Sequence, residues 1–210
     1  MIEDLVSTLA DLKEEEVLAI VQKRLNSGED PLETLNDARK GVRIVGQRYQ
    51  DGEYFIPELV YSGEILNAIV EMVKPKLAKG VEVERFGKVV IGTVAGDVHD
   101  IGKNIVTFML DISGFEVYDL GVDIPAGKFV DKIKEVEPEV VALSGFLTLS
   151  YESMKETVQA IKDAGLRDKV KIMVGGGTLD DTVREYVGAD AFGRFAPDAV
   201  ALAKKWIGGK

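Results

Sequence analysis

The chain holds one histidine, His99, within Gly96-Asp97-Val98-His99-Asp100-Ile101-Gly102. A neutral imidazole can give one ring nitrogen to a metal while its other nitrogen donates a hydrogen bond. Asp97, two residues earlier, is spaced to accept that bond and fix the tautomer, which raises the basicity of a ligand. The absence of cysteine excludes disulfides, iron–sulfur clusters and thiolate zinc sites. A single histidine excludes a multi-histidine zinc site. A metal bound at His99 therefore has to bring most of its own ligands, as a macrocycle does. The plainer reading is a surface histidine, with Asp97 and Asp100 capping the helix that follows.

Three further clusters of small and polar residues follow strand-like runs. They are Asp119-Leu120-Gly121-Val122-Asp123, Ser144-Gly145-Phe146-Leu147-Thr148-Leu149-Ser150 and Gly175-Gly176-Gly177-Thr178. Ser144 and Thr148 offer hydroxyls to the polar edge of a ligand. The glycine run removes side chains where a bulky ligand can lie against backbone, although it also reads as a tight strand-to-helix turn. It is not a P-loop, because the Gly-Lys-Ser/Thr ending is missing. No Gly-x-Gly-x-x-Gly follows the first strand. Ser144-Gly145-Phe146 has no partner histidine other than His99, so hydrolase chemistry has weak support. Taken singly the plain readings compete well. They compete poorly as a set, because all four clusters fall on one edge.

The elements that position these clusters follow from periodicity. Residues 1–79 read as helical: Leu35, Ala38, Val42, Val45 and Tyr49 recur at helical spacing, as do Leu59, Gly63, Leu66, Val70, Val73 and Leu77. These apolar stripes predict a bundle of four helices, with Asp30-Pro31 opening one of them. Residues 80–87 are expected to form a linker. From Lys88 the period changes. Strand-like runs near 89–91, 117–120, 140–143, 170–174 and 189–192 alternate with helical stretches at 102–113, 126–136 and 151–164, and a final helix runs through Trp206. This pattern predicts an all-α N-terminal domain followed by a flavodoxin-like α/β domain, residues 88–210, with a doubly wound parallel five-stranded sheet. Ligands of such sheets bind beyond the carboxyl ends of the strands.

The chain has 210 residues, 46% of them hydrophobic, and a net charge of −10. That charge argues against nucleic acid and against an anionic membrane surface as partners. The N-terminus shows neither a signal peptide nor an apolar span, so the cytoplasm is the expected location.

Asp97-x-His99-x-x-Gly102, then Ser144-x-x-Leu147, then Gly175-Gly176 resemble, in order and spacing, the signature of cobalamin-binding domains. Residues 46–59 resemble the turn in the helical cap of methionine synthase and its relatives. The whole chain is similar to the small corrinoid proteins of anaerobic methyltransferase systems. The resemblance implies cobalamin bound base-off and His-on, with His99 as the lower axial ligand of cobalt, Asp97 holding His99, and Ser150 completing the relay. It implies that the nucleotide tail passes Gly102, Gly175 and Gly176 and meets Ser144, Thr148 and Ala196. Asp100, Ile101 and Leu147 are the remaining implied contacts in this domain. Tyr49 and Ile56 of the cap would stand closest to the methyl group, with Tyr49 where methionine synthase has Phe. Leu35 stands where methionine synthase has a glutamate, so no contact is carried to it.

The implied activity is a shuttle. Methyl groups would pass from a substrate-specific methyltransferase to an acceptor methyltransferase through Co(I) and methyl-Co(III), with a reductive activator protein as a third partner. The chain would be a methyl-carrying component and not a complete enzyme. The alternative is the cobalamin-binding subunit of an adenosylcobalamin-dependent mutase, which shares Asp-x-His-x-x-Gly but pairs it with a barrel. A light-sensing regulator needs a DNA-binding module, for which this acidic chain is too short. A receiver domain leaves the helical half unexplained.

Overall fold

A computed structural model of the protein describes residues 4–76, 85–177 and 179–208. The chain divides into two compact units, Met1–Glu84 and Arg85–Lys210.

In the first unit the apolar stripes become helices α1 (Leu5–Ala10), α2 (Glu14–Ser27), α3 (Pro31–Gln50) and α4 (Ile56–Val73). Asp30 caps α3 by accepting the Leu32 N–H at 2.9 Å, and Pro31 takes the first helical position, where its missing N–H costs nothing. Leu35, Ala38, Val42 and Val45 of α3 bury their side chains, as do Val17, Val21 and Leu25 of α2 and Leu59, Leu66 and Val73 of α4. A Cβ at Gly41 would lie 2.9 Å from the Val6 carbonyl oxygen, so this glycine lets α1 and α3 approach closely.

Leu77 and residues 80–84 of the expected linker lie outside the described residues. The rest of that linker is anchored on the second unit. Arg85 donates to Asp111 Oδ1 and to the Phe115 carbonyl, both at 2.7 Å. The Phe86 N–H donates to the Gly114 carbonyl at 2.9 Å, and its ring meets Phe115 edge-on.

The second unit is a five-stranded parallel sheet in the order β2-β1-β3-β4-β5. Its strands are β1 (Lys88–Thr93), β2 (Glu116–Asp119), β3 (Val140–Ser144), β4 (Lys171–Gly175) and β5 (Ala191–Gly193). Helices α5 (Ile101–Ile112), α6 (Ala126–Val136), α7 (Ser150–Asp163), α8 (Asp181–Val187) and α9 (Ala196–Ile207) alternate with them. Strand residues Val90, Val141, Leu143, Ile172 and Val174 are buried together with Phe129, Met154 and Ile161 from the helices. The near-continuous apolar runs follow from burial on both faces.

Helix α8 is not among the expected helices. It has seven residues, and only Val187 is buried, so it presents no apolar stripe to read. Its ends define it instead: Asp180 accepts the Val183 N–H at 2.9 Å, and Gly188 closes it with φ of +82°. The chain leaves β1 for β2 on one side, then crosses back past β1 to β3. That reversal puts the switch point between β1 and β3, where doubly wound sheets hold their ligands.

Candidate functional site

Strand β1 ends at Thr93, and Thr93, Ser144 and Gly175 stand in register at the carboxyl edge of three adjacent strands. The turn that leaves β1 carries Asp97 inward. Its side chain is fully buried and accepts five hydrogen bonds. Oδ1 takes the His99 N–H at 2.9 Å and the His99 ring Nδ1–H at 2.7 Å. Oδ2 takes the Phe146 N–H at 2.7 Å, the Leu147 N–H at 3.1 Å and the Ser150 hydroxyl at 2.6 Å. Burial pushes the carboxyl pKa up. The hydrogen bonds from Ser150, His99 and Leu147 outweigh that push and hold the carboxyl well below the usual carboxylate range, as expected when donors surround the charged form. Asp97 is therefore ionised and accepts only.

An acceptor-only partner at Nδ1 puts the ring proton there and leaves the Nε2 lone pair free. The His99 side chain is 50% exposed. Its carbonyl accepts from Thr93 Oγ1 at 3.1 Å, and its ring lies 4.7 Å from the Phe146 ring, tilted by 35°. The imidazole is thus held at Nδ1, on its backbone and on one face, with half of the side chain exposed. Among the described residues no group of three or more His, Asp or Glu converges into a metal cage.

The structure brings Asp97, His99 and Ser150 into one hydrogen-bonded chain. Asp100 sits at the N-terminus of α5, but its side chain does not cap the helix; it accepts from Asn104 at 3.2 Å. Ile101 and Gly102 open α5 and are exposed, and a Cβ at Gly102 would meet open space. Ser144 ends β3. Leu147 and Thr148 lie exposed on the loop before α7. Ala196 opens α9, just beyond β5. Tyr49 and Ile56 belong to the first unit, at the end of α3 and the start of α4.

The glycine run has a different cause from the one its composition suggests. A Cβ at Gly176 would fall 2.7 Å from the Gly145 carbonyl oxygen, and one at Gly177 would fall 2.6 Å from that of Phe146. Both residues also have positive φ, +100° and +54°. They are glycines because the loops after β3 and β4 touch backbone to backbone. Only at Gly175 would a Cβ fit without a clash, in van der Waals contact with the Gly193 carbonyl oxygen at 3.8 Å.

Three contributors were not singled out from sequence. Thr93 and Phe146 hold His99, and Lys103, buried on α5, pairs with Asp119 at the end of β2. The lysine directly after the Asp-x-His-x-x-Gly run was the available signal for the last of these.

The donor set suits a metal that arrives in a macrocycle: one imidazole nitrogen, oriented and exposed. Val98, Ile101, Phe146, Leu147 and Leu149 are exposed apolar side chains on the loops around it, and such patches mark binding surfaces. Open space beside Gly102 leaves room for a bulky group.

Comparison with known proteins identifies the family. Residues 87–203 match the B12 binding domain family, and residues 1–74 match a second B12 binding domain family. The trimethylamine corrinoid protein 1 of Methanosarcina acetivorans is 38% identical over 198 residues, covering 93% of this chain and 92% of that protein. A dimethylamine corrinoid protein of Methanosarcina barkeri is 37% identical over 209 residues, covering 99% and 97%. A cobalamin-binding protein from Desulfitobacterium hafniense DCB-2 superposes with a TM-score of 0.81 at 42% identity, covering 99% and 98%. The methanol:cobalamin methyltransferase complex of Methanosarcina barkeri gives 0.85 at 28%, covering 100% of this chain and 80% of that one. These relatives lend the mutase alternative no support. The chain therefore belongs to the B12-binding corrinoid proteins, and cobalamin is its cofactor.

Proposed function

We propose that this protein carries a methyl group between two partner enzymes on cobalamin, whose cobalt His99 Nε2 would hold. One observation carries the reading: the buried side chain of Asp97 accepts from Nδ1 of His99 at 2.7 Å, while the His99 side chain is half exposed. When bound, cobalamin supplies a cobalt centre that takes a methyl group from one partner and yields it to another. The protein's part is to hold the imidazole and to govern its basicity. Ser150 and the Phe146 and Leu147 amides fix the far oxygen of Asp97, so the near oxygen stays aimed at His99.

On this reading Gly102, Gly175 and Gly176, with Ser144, Thr148 and Ala196, would hold the tail of the cofactor. Asp100, Ile101 and Leu147 would border it. A substrate-specific methyltransferase delivers the methyl group, an acceptor methyltransferase removes it, and a reductive activator restores the carrier. Likeness to trimethylamine and dimethylamine corrinoid proteins at 38% and 37% identity supports a methylated amine as donor. The cytoplasm is the proposed place of action. Among the described residues no helix is long and apolar enough to cross a membrane.

The test is reconstitution with hydroxocobalamin. The wild type should show the absorbance of cobalamin whose own base is replaced by imidazole. Labelling the single histidine with nitrogen-15 should change the nitrogen splitting of the reduced, paramagnetic cobalt signal. Axial ligation by His99 is wrong if His99→Ala leaves the spectrum of the bound cofactor unchanged.

A further inference from the structure

Asp123 lies on the loop after β2 and is not among the residues assigned above to the cofactor. Its φ is +54°, in the left-handed region that few side chains tolerate, aspartate among them. An aspartate held there on an exposed loop points to a local constraint. The constraint is visible: Asp123 grips both ends of the Gly96–Asp97 dipeptide. Its Oδ1 accepts the Gly96 N–H at 2.7 Å. Its own N–H donates to the Asp97 carbonyl at 2.9 Å.

The loop that carries Asp123 is itself tied down. Lys103 donates to the Asp119 side chain, whose other oxygen accepts the Gly121 N–H at 2.9 Å. The Gly121 carbonyl accepts from Thr93 N–H, and the Ile124 N–H donates to the Thr93 carbonyl, both at 3.0 Å. The donors on the β3 loop hold the carboxylate of Asp97; the β2 loop holds its backbone. With the backbone free to turn, the five bonds to the carboxylate would not fix where His99 points. Ligand sites tolerate errors of only about 10–20° in such a direction.

We propose that Asp123 is a positioning residue for His99, which it aims by locking the Gly96–Asp97 peptide. The inference rests on the reading of His99 as axial ligand, but its first test needs no cofactor. Because the chain has one histidine, the Nδ1–H proton of His99 is a single ring signal in protein labelled with nitrogen-15 histidine. Asp123→Gly keeps a residue at ease with positive φ and removes the acceptor for Gly96 N–H. Asp123→Asn keeps an acceptor oxygen and tolerates the same φ. In the cofactor-free protein, exchange of the His99 ring proton with water should quicken by about tenfold in Asp123→Gly, the factor that one hydrogen bond to a charged group is worth. Asp123→Asn should restore the wild-type rate. After reconstitution, the glycine variant should show a larger share of cofactor without imidazole ligation, and the asparagine variant should not.

Thermal unfolding of both variants separates loss of aim from loss of fold. A glycine variant with the wild-type exchange rate and the wild-type spectrum overturns the proposal. Faster exchange with a spectrum that His99→Ala also leaves unchanged keeps the clamp and overturns the axial-ligand reading instead.

Discussion

Asp97 concentrates the chemistry of the site in one carboxylate. It has no exposure and five donors, so any substitution leaves buried donors without an acceptor. Asp97→Asn puts an amide N–H among those donors. It should weaken cobalamin binding by roughly 10–100-fold, as expected when the group behind a metal-binding histidine is lost; titration of the cofactor-free protein with hydroxocobalamin measures it. Ser150→Ala removes only one donor and leaves the carboxylate with the rest. It should destabilise the second unit by about 1–3 kcal/mol in urea unfolding and weaken binding less than Asp97→Asn does. An equal loss of affinity from both would mean that Ser150 does more than hold Oδ2. His99, Asp97 and Ser150 were legible in the sequence because their roles belong to side-chain type and spacing. The amides of Phe146 and Leu147 were not, since a backbone N–H carries no residue identity. The His99–Phe146 contact was hidden for another reason: it joins loops after strands that become neighbours only in the folded sheet.

At the scale of elements, the alternation of apolar runs predicted the doubly wound sheet, and the strands fall within a residue or two of where periodicity put them. Burial on both faces makes that signal strong. Helix α8 escaped because seven residues bury only Val187. The glycine run was legible as a special place but not in its cause, because the Gly176 contact is to backbone that composition cannot place. The two causes separate by mutation. Gly176→Ala forces a Cβ to 2.7 Å from the Gly145 oxygen at a φ of +100° and should cost about 2–3 kcal/mol or more in urea unfolding. Gly175→Ala meets nothing nearer than 3.8 Å and should change stability by less than about 1 kcal/mol. If the cofactor tail lies there, Gly175→Ala should nonetheless reduce cobalamin retention on gel filtration. Unchanged retention would move the tail away from Gly175.

At the scale of the whole molecule, the methyl donor is the least legible feature, because on the proposed function its recognition belongs to the partner methyltransferase. Acid stability, by contrast, follows from charges that are on the chain. In the first unit, Arg24 and Lys40 beside Asp37 hold its carboxyl below the ordinary value. In the second unit, burial pushes Asp190 up, but the Ile172 N–H at 2.7 Å, Arg167 at 3.0 Å and Lys171 at 3.6 Å more than offset it and leave it lowered. A carboxyl whose folded-state pKa lies below its unfolded value adds stability above that unfolded value, about 3.9 for aspartate. The contribution drains away as pH falls through the folded value, because the unfolded chain then binds the proton more readily. Asp190→Asn should therefore unfold more easily than wild type at neutral pH, by about 1–3 kcal/mol for a hydrogen-bonded charge. The gap should narrow as pH falls below the unfolded value and close once the folded carboxyl of the wild type protonates. The single tryptophan, Trp206, lies on α9 of the second unit, so its fluorescence in urea reads the unit that holds Asp190. A gap of constant size from neutral pH down to about pH 2 would assign the stabilisation to packing around Asp190 and not to its charge.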